Sequence, residues 1–88
     1  MTRIVNIRAT DRYDVFVGRP SKWGNPFPIS DQTTREQSIR MYEAYIRRRP
    51  DLLGDLPELV GKVLGCYCAP LPCHADVLLK LLQERGLE

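Results

Sequence analysis

The chain has 88 residues and a formal net charge of +2; 43% of its residues are hydrophobic and 27% are charged. A chain of this length supports one core, so we expect residues 1–88 to form a single domain. The composition is globular, which argues against a disordered chain, and no apolar run approaches the roughly 20 residues of a membrane span.

The cysteines indicate a reducing compartment. All three lie between Cys66 and Cys73, where they cannot join distant parts of the chain as the disulfides of a secreted protein do. The first residues also lack the apolar core of a signal peptide. We therefore expect a cytoplasmic protein with no membrane partner.

The N-terminal part of the chain predicts two strands and a loop. β-Branched and aromatic residues predict strands over Ile4–Arg8 and Tyr13–Gly18, and Ala9–Arg12 between them predicts the turn of a β-hairpin. Proline and glycine recur through Arg19–Ser30, so this segment is expected to be an ordered loop.

The middle of the chain predicts helices. Thr33 and Glu36 have the spacing of a capping box, and apolar residues then follow at helical spacing until Pro50. These apolar residues are Ile39, Met41, Tyr42, Tyr45 and Ile46. A short, interrupted second helix is expected over Leu52–Val60.

The C-terminal part predicts a buried strand over Lys62–Cys68 and a helix from Pro72 or Cys73 to Arg85. The inward face of this helix should consist of Val77, Leu78, Leu81 and Leu82. The order β-β-α-(α)-β-α predicts an α/β or α+β fold, in which two to three helices pack on a small three-stranded sheet in a reduced Rossmann-like layer. Ligands bind beyond the carboxyl ends of strands in open α/β sheets, so the loops after the second and third strands should meet.

The segment from Cys66 to Asp76 supports two kinds of chemistry. Cys66, Cys68, Cys73 and His74 supply the four ligands of a structural zinc site, although their spacing differs from the usual Cys-x2-Cys pairs. Alternatively, Cys73 at a helix N-terminus, or Cys68 beside it, is a thiolate nucleophile with a lowered pKa and His74 as its base.

Simpler interpretations of the same segment stay open. The cysteines can be small buried residues, and free N–H groups at the helix N-terminus can bind an anion without any covalent step. Asp76 either stabilises the positive end of the helix or has a catalytic or binding role, in which it orients His74 or accepts a hydrogen bond from a ligand hydroxyl.

The loop from Gly18 to Pro26 combines rigidity with binding groups. Arg19 and Lys22 can hold a phosphate or carboxylate, Ser21 and Asn25 can donate hydrogen bonds, and Trp23 can stack on a ring. The alternative is that Trp23 fills the core and the charged residues are only solvated.

The two segments closely resemble those of a bacterial and phage family, domain of unknown function 4326. The resemblance rests on Val5–Arg8, Asp14–Phe27 and Leu64–Leu78, and it extends over nearly the whole chain. It implies an origin in a bacterium or a phage-infected host, and it implies no particular activity.

We therefore expect a domain that binds a small nucleotide-like or other anionic ligand between the two segments, with thiol and histidine chemistry at the same place as an open option. The alternative is a zinc-stabilised module, with zinc as its cofactor, that contacts a host protein or nucleic acid. The small net charge and the lack of a recognised motif argue against direct DNA or RNA binding through the arginines.

Overall fold

Three parallel strands form one sheet in the computed structural model, which describes all 88 residues. The strands are β1 (Arg3–Asn6), β2 (Val15–Phe16) and β3 (Val63–Cys66). Their order is β1-β3-β2, with β3 in the centre and parallel to both neighbours. The fold is therefore of the α/β class with the expected three-stranded sheet.

The predicted β-hairpin is wrong. β1 and β2 do not pair with each other, because each pairs with β3, which enters the sheet from much later in the chain. The residues Ile7–Asp14 thus carry the chain past β3 rather than reversing it. A turn-like sequence between two apolar segments indicates that both are strands, but the partner of each strand is decided by non-local packing.

The helices follow the predicted order. They are α1 (Arg35–Arg47), α2 (Pro50–Asp55), a 3-10 helix (Leu56–Leu59) and α3 (His74–Glu84). The α2 and 3-10 segments correspond to the interrupted second helix of the sequence analysis. None of the helices combines the length and the hydrophobicity needed to cross a membrane.

The capping box of α1 lies one residue later than predicted. Thr34, not Thr33, is the N-cap: its Oγ1 accepts a hydrogen bond from the Gln37 backbone N–H at 3.1 Å, and Gln37 Oε1 accepts one from the Thr34 N–H at 2.9 Å. Tyr42 and Ile46 are buried as expected, but Met41 is 42% exposed and does not belong to the core.

The core lies between the sheet and the helices. Leu64 and Cys66 of β3 form one cluster with the buried residues of α1 and α3, including all four residues predicted for the inward face of α3. Burying one large aliphatic side chain stabilises a fold by about 1.5 to 3 kcal/mol, so these contacts fix α3 against the sheet.

Candidate functional site

The loops that follow β2 and β3 meet at the carboxyl edge of the sheet. Because β2 and β3 are parallel neighbours, their carboxyl ends lie side by side, and α3 begins at the same edge. A cleft of about 210 Å³ lies between the two loops and is hereafter called the Arg19 cleft. Its walls come from the first loop (Gly18, Arg19, Asn25 and Phe27–Ile29), from α1 (Ser38), from the second loop (Tyr67 and Cys68) and from α3 (His74).

Arg19 is the only permanently charged side chain that lines this cleft. It is exposed and forms no ion pair, whereas Lys22, Arg47, Arg49 and Lys80 each bind a carboxylate. Gly24 lets the chain return close to Arg19: a Cβ at Gly24 would lie 2.9 Å from Arg19 Cγ and 3.0 Å from its Cα. The loop therefore holds the stem of Arg19 and leaves its guanidinium free.

Asn25 orders the cleft wall. Its Oδ1 accepts a hydrogen bond from the Phe27 backbone N–H at 2.9 Å, and its Nδ2 donates to Ser38 Oγ at 2.9 Å. The Ser38 hydroxyl in turn donates to the Phe27 carbonyl. One N–H of the Asn25 amide stays free for a ligand.

The other predicted binding residues of the first loop lie outside the cleft. Trp23 is 2% exposed and belongs to the core, which is the simpler of the two interpretations given above. Lys22 binds Asp55 at 2.9 Å and Glu58 at 3.0 Å and lies over the Trp23 ring. The Ser21 hydroxyl is buried and has no hydrogen-bond partner. Tertiary contacts thus bury the Trp23 ring, which was predicted to stack on a ligand, and pair Lys22, one of the two predicted cations, with carboxylates of the protein.

Asn6, a residue that the sequence analysis did not single out, holds the second loop. Its Nδ2 donates to the carbonyls of Tyr67 at 3.1 Å and Ala69 at 2.8 Å. These bonds fix the backbone on either side of Cys68, which is partly exposed and is the only cysteine that lines the cleft.

The expected lowering of the Cys73 pKa is wrong. Cys73 is the N-cap of α3, but its side chain is 2% exposed, and burial raises the pKa of its thiol far above the usual value. Removal from water disfavours the thiolate more than the helix N-terminus favours it. Cys73 is therefore a protonated, buried thiol in contact with Cys66.

His74 ties α3 to Val17, the residue that follows β2. Its Nε2 donates to the Val17 carbonyl at 2.7 Å, and its Nδ1 lies 3.5 Å from the Cys73 sulfur. Burial lowers the pKa of the imidazole, and the nearby Arg19 cation acts in the same direction. The ring is therefore neutral at pH 7, and Nδ1 is the acceptor that faces the Cys73 thiol.

Asp76 acts as a helix cap. Its Oδ2 accepts a hydrogen bond from the Cys73 backbone N–H at 2.9 Å, which completes a capping box at the start of α3. The carboxylate does not line the Arg19 cleft. Of the four residues proposed for chemistry, the structure brings only Cys68 and His74 to the cleft.

The four predicted zinc ligands are not arranged to hold a metal ion together in this structure. No group of three or more His, Cys, Asp or Glu side chains is arranged so that it could hold a metal ion. His74 directs one ring nitrogen to the Val17 carbonyl and the other to Cys73. The geometry gives the zinc alternative no support, and elemental analysis is its test.

Several cleft residues were missed at the sequence level. Tyr67, Phe27 and Ile29 form apolar walls, and Tyr67 and Ile29 are 51% and 49% exposed. Ser38 could have been found, because it lies four residues before Tyr42 on the buried face of α1. A small polar residue on that face indicates a hydrogen-bonding role.

Two viral proteins are similar to this chain. An uncharacterized 12.4 kDa protein in the nrdA-td intergenic region of Enterobacteria phage T4 is 34% identical over 88 residues, which covers 96% of this chain and 80% of the phage protein. Uncharacterized protein R718 of Acanthamoeba polyphaga mimivirus is 35% identical over 86 residues. That match covers 77% of this chain and 65% of the mimivirus protein, so this chain spans slightly less than two thirds of it.

No solved structure matches the chain. The sequence pattern of a family does match, and it extends over residues 5–84, which include both loops of the Arg19 cleft. The protein belongs to the family described as Domain of unknown function (DUF4326).

Proposed function

We propose that the Arg19 cleft binds a small anionic, nucleotide-like ligand. The observation that carries this proposal is the free guanidinium of Arg19, the one permanent charge in an otherwise uncharged cleft. A guanidinium binds phosphate and carboxylate groups through two parallel hydrogen bonds. Because no carboxylate of the protein binds the Arg19 guanidinium, an anionic ligand can bind there.

The cleft walls suit the rest of such a ligand. Phe27, Ile29 and Tyr67 provide apolar and aromatic surface, and the Asn25 amide has one N–H to donate. The volume of about 210 Å³ is below the roughly 300 to 1,000 Å³ of drug-sized pockets. The ligand would therefore place one ring or one phosphate group in the cleft, with its remainder outside.

The proposal concerns binding and not turnover. His74 uses both ring nitrogens inside the fold, and the Asp76 carboxylate caps α3. No side chain of the cleft is thus placed as a general base for Cys68. A nucleophilic role for Cys68 would need activation by the ligand itself.

Two-dimensional NMR with inorganic phosphate and nucleoside monophosphates tests the proposal. The amide signals of Gly18, Asn25 and Cys68 should shift in a saturable way. Removal of one charge-assisted contact costs about 1.5 to 3 kcal/mol, so Arg19→Ala should weaken binding roughly 10- to 150-fold. Arg85→Ala is the matched control, because Arg85 follows the far end of α3, about 16 Å along the helix from His74.

His74 supplies a second readout, since it is the only histidine in the chain. An anion bound to Arg19 would cancel the cation that helps to lower the His74 pKa, so ligand should raise this pKa. In Arg19→Ala the ligand should leave the His74 pKa unchanged. The proposal fails if no probe shifts these signals at about 10 mM, or if Arg19→Ala and Arg85→Ala bind alike.

A further inference from the structure

The two faces of the sheet are covered differently. Leu64 and Cys66 face the helices and are 0% and 1% exposed. Because side chains alternate along a strand, Val63 and Gly65 point away, together with their register partners on β1 and β2. The core cluster contains residues from the first face only, with no contribution from this second one. We call this second side the outer sheet face.

Aromatic residues form the outer sheet face. Phe16 is the register partner of Gly65, and the Tyr13 ring lies over the same glycine, where a Cβ would come within 2.8 Å of Tyr13 Cγ. Phe16 and Tyr67 meet edge to face with ring centroids 5.7 Å apart. Tyr13 is 37% exposed and Tyr67 is 51% exposed. A parallel sheet is normally covered by helices on both sides, so exposed rings in this position are unusual.

A free cation borders these rings. The Arg8 guanidinium lies 5.5 Å from the centre of the Tyr67 ring. Arg12, the exposed residue that precedes Tyr13, forms no ion pair, and neither does Arg8. The ion pairs of the protein instead join residues of the first loop and the helices, where Lys22, Arg47, Arg49 and Lys80 are all bound to carboxylates. On the outer side, the Asp14 carboxylate already accepts a hydrogen bond from the Val63 N–H at 2.8 Å.

A groove of about 640 Å³ lies along β1. Arg8 belongs both to this groove and to the contact with Tyr67. Val5, Thr10 and Pro70 are among the other residues that line it. The outer sheet face thus combines exposed rings and unpaired arginines with a groove beside them.

We propose that the outer sheet face binds single-stranded nucleic acid, with bases stacked on Tyr13 and Tyr67 and phosphates at Arg8 and Arg12. Sheets that present aromatic rings bind unpaired bases by stacking, and every base offers a flat face for such a contact. The arginines complement a polyanion, whereas a symmetric pair of copies would bring the same unpaired arginines of both chains together. Tyr67 borders both this surface and the Arg19 cleft, whereas Tyr13, Arg8 and Arg12 do not line the cleft.

Fluorescence anisotropy with labelled oligo(dT) and oligo(U) of about 12 nucleotides tests the proposal. The informative variants are Tyr13→Leu and Arg8→Ala, because neither residue lines the Arg19 cleft. Leucine keeps apolar cover over Gly65 and removes the stacking ring. Tyr13→Leu should weaken binding roughly 5- to 150-fold. Arg8→Ala should weaken it and reduce the slope of log K against log salt concentration by about 0.7.

Arg85→Ala is again the control and should bind like the unchanged protein. The proposal is overturned if neither oligonucleotide binds at about 50 mM salt, if Arg85→Ala loses as much affinity as Arg8→Ala, or if a duplex of equal length binds as tightly. Sedimentation that shows a dimer of the unchanged protein, lost in Arg8→Ala, would overturn it and assign the face to a second copy. Should Tyr13→Leu not fold, the salt slope of Arg8→Ala decides. Arg19→Ala should retain oligonucleotide binding, which separates failure of this proposal from failure of the cleft proposal.

Discussion

Mild acid should destabilise the protein through His74. The imidazole is buried and neutral, with Nε2 bound to the Val17 carbonyl and Nδ1 facing the Cys73 thiol. Protonation of the ring to the imidazolium is therefore less favourable in the folded protein, and the pKa of His74 is lowered. The unfolded chain binds that proton at its ordinary pKa of about 6.5. Because the folded pKa is lowered, stability is fully present above about pH 6.5 and falls as the pH drops below it.

The size of this loss follows from linkage. Each pH unit between the unfolded and the folded pKa lowers the free energy of unfolding by at most about 1.4 kcal/mol. A change from about pH 7.5 to about pH 5.5 should therefore remove up to about 1.4 kcal/mol. The carboxyls with lowered pKa values, Glu43, Asp51 and Glu88, have ordinary values of 4.5, 3.8 and 4.5, so they lose their contribution in more acidic solution.

Urea denaturation at a series of pH values measures this effect. With a slope of about 1 to 1.5 kcal/mol per molar urea, the midpoint should fall by about 1 M between the two pH values. His74→Gln cannot titrate, so its stability should be lower overall but nearly constant over this range. A midpoint that does not depend on pH in the unchanged protein, or an equal pH dependence in His74→Gln, would refute this account of His74.

Three further outcomes follow from burial and geometry. Iodoacetamide should alkylate Cys68 first in the folded protein, because Cys66 and Cys73 are 1% and 2% exposed; peptide mass spectrometry with equal labelling of all three would contradict this. Purified protein should contain no stoichiometric zinc, and its melting temperature should not change with a chelator; one zinc per chain would restore the metal alternative. Leu78→Ala should cost about 2 to 5 kcal/mol because the side chain is 0% exposed, whereas Leu71→Ala, at a 56% exposed residue, should stay within about 0.5 kcal/mol by urea denaturation.

Local patterns in the sequence determined the helices and the position of the cleft. The inward face of α3 depends on helical periodicity, and the loop after β2 depends on proline and glycine, so both could be predicted from neighbouring residues. Two loops that each follow a strand meet when the strands are parallel neighbours, as β2 and β3 are. The order of elements and the meeting of the loops were therefore within reach of sequence reasoning.

The tertiary structure alone decided which partner each group has. β3 separates β1 from β2, and this pairing depends on contacts between residues that are far apart in the chain. Trp23, Lys22 and Asp76 have the chemistry of binding residues, but each has a partner inside the fold. Trp23 packs in the core, Lys22 binds two carboxylates, and Asp76 caps the start of α3. The Cys73 pKa rises because the free energy of a charge depends on the water around it, and burial is a property of the whole fold. The fold pairs Lys22 with two carboxylates and leaves Arg19 without a partner, and no local pattern in the sequence contains that information.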